Sequence, residues 1–299
     1  MRPVKIITDS CSDLTPELME KYDIDYCKMN TVYEGVTTPA DLAWTAEDVH
    51  KFYGIIRDGN RITTTQVPVE EFNRVFPAYA EKGYDIVYIA CSSKQSGSVG
   101  TGYVVAKQYM EEHPEVKIRC VDALNACMGE GLLTIQAAEY VKANPEAGCD
   151  QVADYTESIR KNVNQFCTVH SLDALKRAGR VKASAAFFGN LMGVKPILIA
   201  DADGAQTAFK KVKGRQASIK EIVSLMKEAI TEPENQTLYM VHSDCSEEEV
   251  ESIKAEIKAQ IPVKDIYVAY IGPIIGASIG ADAIALYAMG KEVTFRIED

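Results

Sequence analysis

Short apolar runs alternate with longer amphipathic stretches through the first half of the chain. "VKIITDS", "YDIVYIA" and "VKIRCVDA" are dense in branched and aromatic residues, as strands buried on both faces are, and "IDYCKMNTVY" reads as one further extended segment. Between them the apolar positions recur at helical spacing. "TPELMEKYD" opens behind a Thr cap, and further helices are expected over 45–57, after "NRITTTQVPVEEF" with Glu70 and Glu71 in the first turn, and over 101–112 and 128–143. Strand–helix alternation of this kind predicts a mainly parallel sheet with helices on both faces.

The rhythm changes after "KANPEAGCDQ". "QFCTVHS", "KPILIAD" and "AQTAFKKVKG" read as strands, and "DADG" between the last two is a hairpin signal, so antiparallel pairs are expected here. Helices over 218–231 and 246–260, strands "TLYMVHSD" and "KDIYVAYIG", a helix after Gly276 and a final strand "EVTFRI" complete the pattern. The chain therefore reads as two α/β domains, 1–160 and 161–299. Residues 268–290 are long enough to span a bilayer and hold one charge, Asp282, but Pro273, Gly276 and Gly280 interrupt them. A strand, a turn and a buried helix fit better, and no integral membrane segment is expected.

Composition narrows the function. A net charge of -11 opposes binding to polyphosphate backbones, which need clustered Lys and Arg. The eight cysteines are scattered, with no CxxC pair, and read as reduced thiols. The first residues lack a signal-peptide core. A cytoplasmic protein without a metal or cofactor is the expectation.

In a parallel sheet, ligands sit beyond the carboxyl ends of the strands. Three loops qualify: "TDSCSD" with Asp9, Ser10 and Asp13; "TTTQVP" with Thr64 and Thr65; and "SSKQSGSVGTG" with Ser96, Gly97 and Ser98. The third places small hydroxyls and open backbone N–H groups ahead of a helix, an arrangement that favours an anion, although Ser and Gly there also serve as plain caps. It is neither a dinucleotide fingerprint nor a Walker loop. Asp9 and Asp13 are open to roles as bases, metal ligands or caps, and Arg180 in "LKRAGRV" either caps a helix or turns toward an anion. No GxSxG elbow supports a hydrolase, and no HxxxH, HxH or CxxC spacing supports a metal site.

Taken together, "IITDSCSDL", "TTTQVPVEEF", "SSKQSGSVGTG", "VDALNACMGEGLL", "SLDALKRAGRV", "VKPIL" and "IGPIIGASIGADA" occur in the order and at about the spacing seen in the DegV family, which the chain resembles along nearly its whole length. The resemblance implies a two-domain α/β fold that holds a long-chain fatty acid, with no cofactor, and presents its carboxylate to a separate kinase subunit. That kinase makes the acyl phosphate for phospholipid synthesis. It implies carboxylate contacts from Thr64 and Ser96, with backbone donors at Gly97 and Ser98. Asp9, Ser10, Thr65 and Arg180 then line the site, as does Lys213, which stands where the family carries Arg. The turn "GASIGAD" puts Ser278 at the family's His position. Apolar Phe187, Phe188, Leu191, Met192 and Ile197 are candidate walls for the acyl tunnel. The alternative is a small-molecule phosphotransferase with phosphate in the Ser96 loop and Asp9 as base.

Overall fold

A computed structural model describes residues 2–170, 177–183, 187 and 193–297. Strand β1 (Val4–Asp9) and strand β6 (Asp85–Ala90) are buried at every position, as their unbroken apolar runs require. They form the centre of a four-stranded parallel sheet ordered β2-β1-β6-β7, with β2 (Ile24–Cys27) and β7 (Ile118–Asp122) at its edges. A small antiparallel sheet, β4-β3-β5, stands beside it, built from β3 (Asn30–Tyr33), β4 (Val36–Pro39) and β5 (Thr63–Thr65).

The second half forms a seven-stranded mixed sheet, β13-β12-β14-β8-β10-β11-β9. Its strands are β8 (Val163–Thr168), β9 (Val181–Lys182), β10 (Val194–Ala200), β11 (Gln206–Lys213), β12 (Thr237–His242), β13 (Asp265–Tyr270) and β14 (Ile284–Met289). The hairpin predicted at "DADG" joins β10 to β11, with Gly204 at a φ of 84°.

The helices divide into layers. Helices α3 (Val69–Ala80) and α4 (Ser98–Glu112) cover the outer face of the parallel sheet. Between the two large sheets lies α5 (Met128–Ala143), which packs on β1 and β6 on one side and on β8 and β14 on the other, while α6 (Cys149–Ile159) packs beside it on β6 and β7. Residues 128–135 of α5 are all buried, because a helix squeezed between two sheets has no solvent face to make polar. Helices α7 (Arg215–Ala229) and α8 (Glu247–Gln260) close the far face of the mixed sheet. Shorter α1 (Pro16–Tyr22) and α2 (Ala46–Arg57) begin at Thr15 and Thr45, whose hydroxyls accept from the backbone N–H groups of Leu18 and Asp48.

Three expectations change. The extended segment over 24–33 splits, because β2 pairs with β1 while β3 turns out to join the small sheet. The helix expected after Gly276 lies earlier, as α9 (Pro273–Ile279): Pro273 starts it, and Gly280 at a φ of 83° and Asp282 at 60° end it. The apolar run that follows is therefore β14, paired on both sides, and "EVTFRI" forms no strand. No helix among the described residues is long and apolar enough to cross a membrane.

Candidate functional site

The loops that leave β1 and β6, the N-terminus of α5 and helix α9 meet around a cavity of about 390 Å³. The volume falls in the range of small-ligand pockets. Its lining changes character with depth. At the rim stand the hydroxyls of Thr64, Thr65, Ser93 and Ser96, with Gly97 at the start of α4 and Arg180 beside them. Below are Cys11, Met29, Cys91, Ala126, Ile274 and Tyr287, each 5% exposed or less.

Backbone geometry explains the rim. Thr64 sits opposite Thr31 in the β3–β5 pairing, which fixes its position on the small sheet. The backbone N–H groups of Gln95 and Ser96 both donate to the Ser92 carbonyl, at 2.9 and 3.0 Å, coiling the loop so that Ser96 faces the opening. Gln66 leans over Gly97, where an added Cβ would lie 2.1 Å from the movable end of that side chain, Oε1. Gln66 Nε2 in turn donates to Thr101 Oγ1 at 2.7 Å and ties the threonine loop to α4. The N-terminus of this long helix adds partial positive charge at the rim.

Arg180 donates to the carbonyls of Ala178 and Gln95 at 2.6 and 3.4 Å. Beside the cavity is a smaller cleft of about 110 Å³, lined in part by Arg61, Arg177 and Arg180, and Thr64 and Ser278 border both spaces. An acidic chain thus gathers three arginines beside one opening, two of which, Arg61 and Arg177, the sequence motifs did not single out.

The structure relocates several expected site residues. Ser98 is fully buried: its hydroxyl accepts from Val67 N at 3.2 Å and its N–H donates to Ser96 Oγ at 3.2 Å, so both groups serve the loop rather than the cavity. Asp9 and Ser10 lie beneath the lining. Ser10 Oγ accepts from Met29 N at 2.9 Å, and Asp9 accepts from the N–H groups of Cys11 and Cys91 and from the Tyr88 hydroxyl. Lys213 is exposed at the end of β11, outside the lining. Ile197 packs with Ile219, Ile222 and Val223 under α7, on the face of the mixed sheet opposite Tyr287, because neighbouring strand residues alternate between faces. Phe187 is buried in the layer shared with α5, while Phe188, Leu191 and Met192 fall outside the described residues.

The sequence reading missed the cavity's interior. Gln165 on β8 and Gln206 on β11 line it from the mixed sheet, Gln165 Nε2 donating a hydrogen bond to Gln206 Oε1 at 3.0 Å, with Tyr287 of β14 alongside. Under the floor, Asp9, Asp13 and Glu130 are all buried. Burial raises Asp9 against its three hydrogen bonds and raises Glu130 well above the usual carboxyl range, helped by the nearby Asp9 charge. Burial also lifts Asp13 to about 7, although it accepts from the Cys127 thiol at 2.8 Å and Gly272 N at 3.0 Å. The Cys11 thiol is pushed well up, first by its bond to Cys91 and then by burial. That same bond pulls Cys91 down, but burial and the nearby carboxyls carry it up to about 12. Burial thus pushes the acids and thiols of the floor alike toward their neutral forms.

Relatives with this architecture are known. A family model described as an uncharacterised protein of the DegV family matches residues 3–291. A DegV domain-containing protein of Clostridium perfringens is 33% identical over 97% of this chain and 98% of its own. Among solved structures, a DegV lipid-binding protein of Thermotoga maritima superposes with a TM-score of 0.82 at 26% identity, covering 98% of this chain and all of that one (100%). A second Thermotoga maritima protein, reported to reveal fatty acid binding function, gives 0.81 at 25% identity over 97% of this chain and 100% of its own.

Proposed function

The chain belongs to the DegV family, and from that premise we propose that it binds a long-chain fatty acid, with the carboxylate at the cavity rim and the chain running inward. The observation that carries the reading is the gradient of the cavity, from hydroxyls and Arg180 at the opening to mainly apolar and thiol side chains below, with Gln165 and Gln206 as a mutually bonded polar pair among them. An amphiphile with one anionic end matches that gradient. Each buried methylene contributes about 0.8 kcal/mol, so a chain of about 15 supplies on the order of 12 kcal/mol before binding costs. Hydrogen bonds from Thr64 and Ser96 to a carboxylate contribute about 1.5 to 3 kcal/mol each and decide which end faces out.

The carboxylate so held is offered to a separate kinase subunit, which makes the acyl phosphate. Ser278 supplies a hydroxyl in place of an imidazole here, so Arg61, Arg177 and Arg180 carry the anion-facing charge of the opening. The phosphotransferase alternative needs Asp9 as an exposed base, and Asp9 is buried with its oxygens taken by Cys11, Cys91 and Tyr88. The two domains, 1–160 and 161–299, enclose the ligand between them in this reading.

Native mass spectrometry of gently purified protein tests the binding. One acyl chain per protein, exchanging with added palmitate, is expected; recovery without any acyl chain and without uptake of palmitate overturns the reading.

A further inference from the structure

We propose that Cys11, Cys91 and Glu130 form a binding site for a thiophilic divalent metal ion of the zinc class at the floor of the cavity. Each residue offers a donor atom, and the three atoms lie within 4.8 Å of one another. The two sulfurs are 3.3 Å apart. Tetrahedral coordination with bonds of about 2.3 Å sets two sulfurs about 3.8 Å apart, so the pair needs to open by only about half an ångström.

Two features make this more than a cluster of donors. Glu130 Oε2 is buried without a hydrogen-bond partner, while Glu130 Oε1 accepts the Thr8 hydroxyl at 2.8 Å. A buried carboxyl oxygen without a partner is costly, and either a proton or a cation relieves it. In addition, one carboxylate positions both cysteines: Asp9 Oδ1 accepts from Cys11 N at 2.9 Å and Asp9 Oδ2 from Cys91 N at 3.2 Å. Outer groups that fix ligand backbones in this way hold metal sites in register.

Cys11 and Cys91 also line the cavity, which gives an ion its route in, and Glu130 meets it from α5 behind them. Three protein donors leave a fourth coordination position. Loading breaks two S–H bonds, forms two metal–sulfur bonds and releases two protons to water, with a third from Glu130 where it starts as the acid. No oxidant or reductant takes part. The donors stand at positions 11, 91 and 130, so no short spacing motif marks them.

The test is titration of the full, reduced, lipid-free chain with cobalt(II), followed by zinc. One equivalent of cobalt with thiolate-to-metal charge-transfer absorption, displaced by zinc, is expected, together with release of at least two protons per ion. Cys11→Ser and Cys91→Ser each weaken binding by about tenfold or more, and Glu130→Gln weakens it too. Cys120→Ser, on β7 away from the cluster, leaves it unchanged. The proton count uses the unaltered chain, so a poorly folding variant does not shelter the proposal. Absence of the thiolate–cobalt band, fewer than two protons released, or an equivalent bound undiminished in both cysteine variants overturns it.

Discussion

The rim and the floor of the cavity are opposite materials drawn from the same loops. Cys91 is 2% exposed, whereas Ser93, two positions later, is exposed to solvent. Cys11 is 1% exposed and Asp9 not at all, whereas the rim threonines lie on a small sheet at the surface. A loop leaving the centre of a parallel sheet starts within the core and must satisfy its polar groups internally, but a residue or two later it meets water and ligand. Changes at the rim are therefore expected to alter binding with little cost to folding, and changes at the floor to do the reverse.

The largest expected effect lies at the floor. Asp13 is raised to about 7, so across roughly pH 4 to 7 the folded chain keeps a proton that the unfolded chain has released. Its contribution is full below the unfolded value and is lost as pH rises through 7; stability falls over that window and then levels, by up to about 4 kcal/mol from this group. Asp9 and Glu130, also raised, act in the same direction. Asp13→Asn, which suits the left-handed backbone at a φ of 52°, removes that share of the slope. Urea denaturation of both proteins at pH 4.5 and 8 checks this, and identical slopes would show that Asp13 titrates alike in the folded and unfolded chain.

A smaller effect is expected at the rim. Ser96→Ala loosens fatty acid binding by about ten- to a hundredfold while costing less than about 1 kcal/mol of stability. Fluorescent fatty acid displacement beside a melting curve separates the two quantities; a large loss of stability without a change in affinity would erase the distinction between rim and floor. The smallest effect belongs to Lys213→Ala. Exposed and outside the lining, Lys213 is expected to change affinity by less than about twofold in the same assay.

Much of this molecule is readable from one dimension. Helix α5 over 128–143 and the hairpin at 201–204 follow from local pattern, as do the loops after β1 and β6, whereas the threonines of "TTTQVP" form β5 of the small antiparallel sheet instead of a loop beyond the parallel one. Strand β14 did not, because a short apolar run is compatible with helix or strand until its pairing partners, β12 and β8, are known. Ile197 illustrates a related limit. Its apolar character is evident in sequence, but which face of the sheet it takes depends on the register that places Leu198 opposite Ala208.

The sequence by itself determined the strand–helix alternation of the first half, the family and the hydroxyls of the rim, because caps, turns and hydroxyl-rich segments are local and carry their own composition. Only the tertiary structure decided the floor. Parallel packing of β1 beside β6 and of α5 behind both brings Cys11, Cys91 and Glu130 together and removes them from water. Burial and proximity across such separations are properties of the assembled layers, and they push ordinary thiols and carboxyls toward their neutral forms.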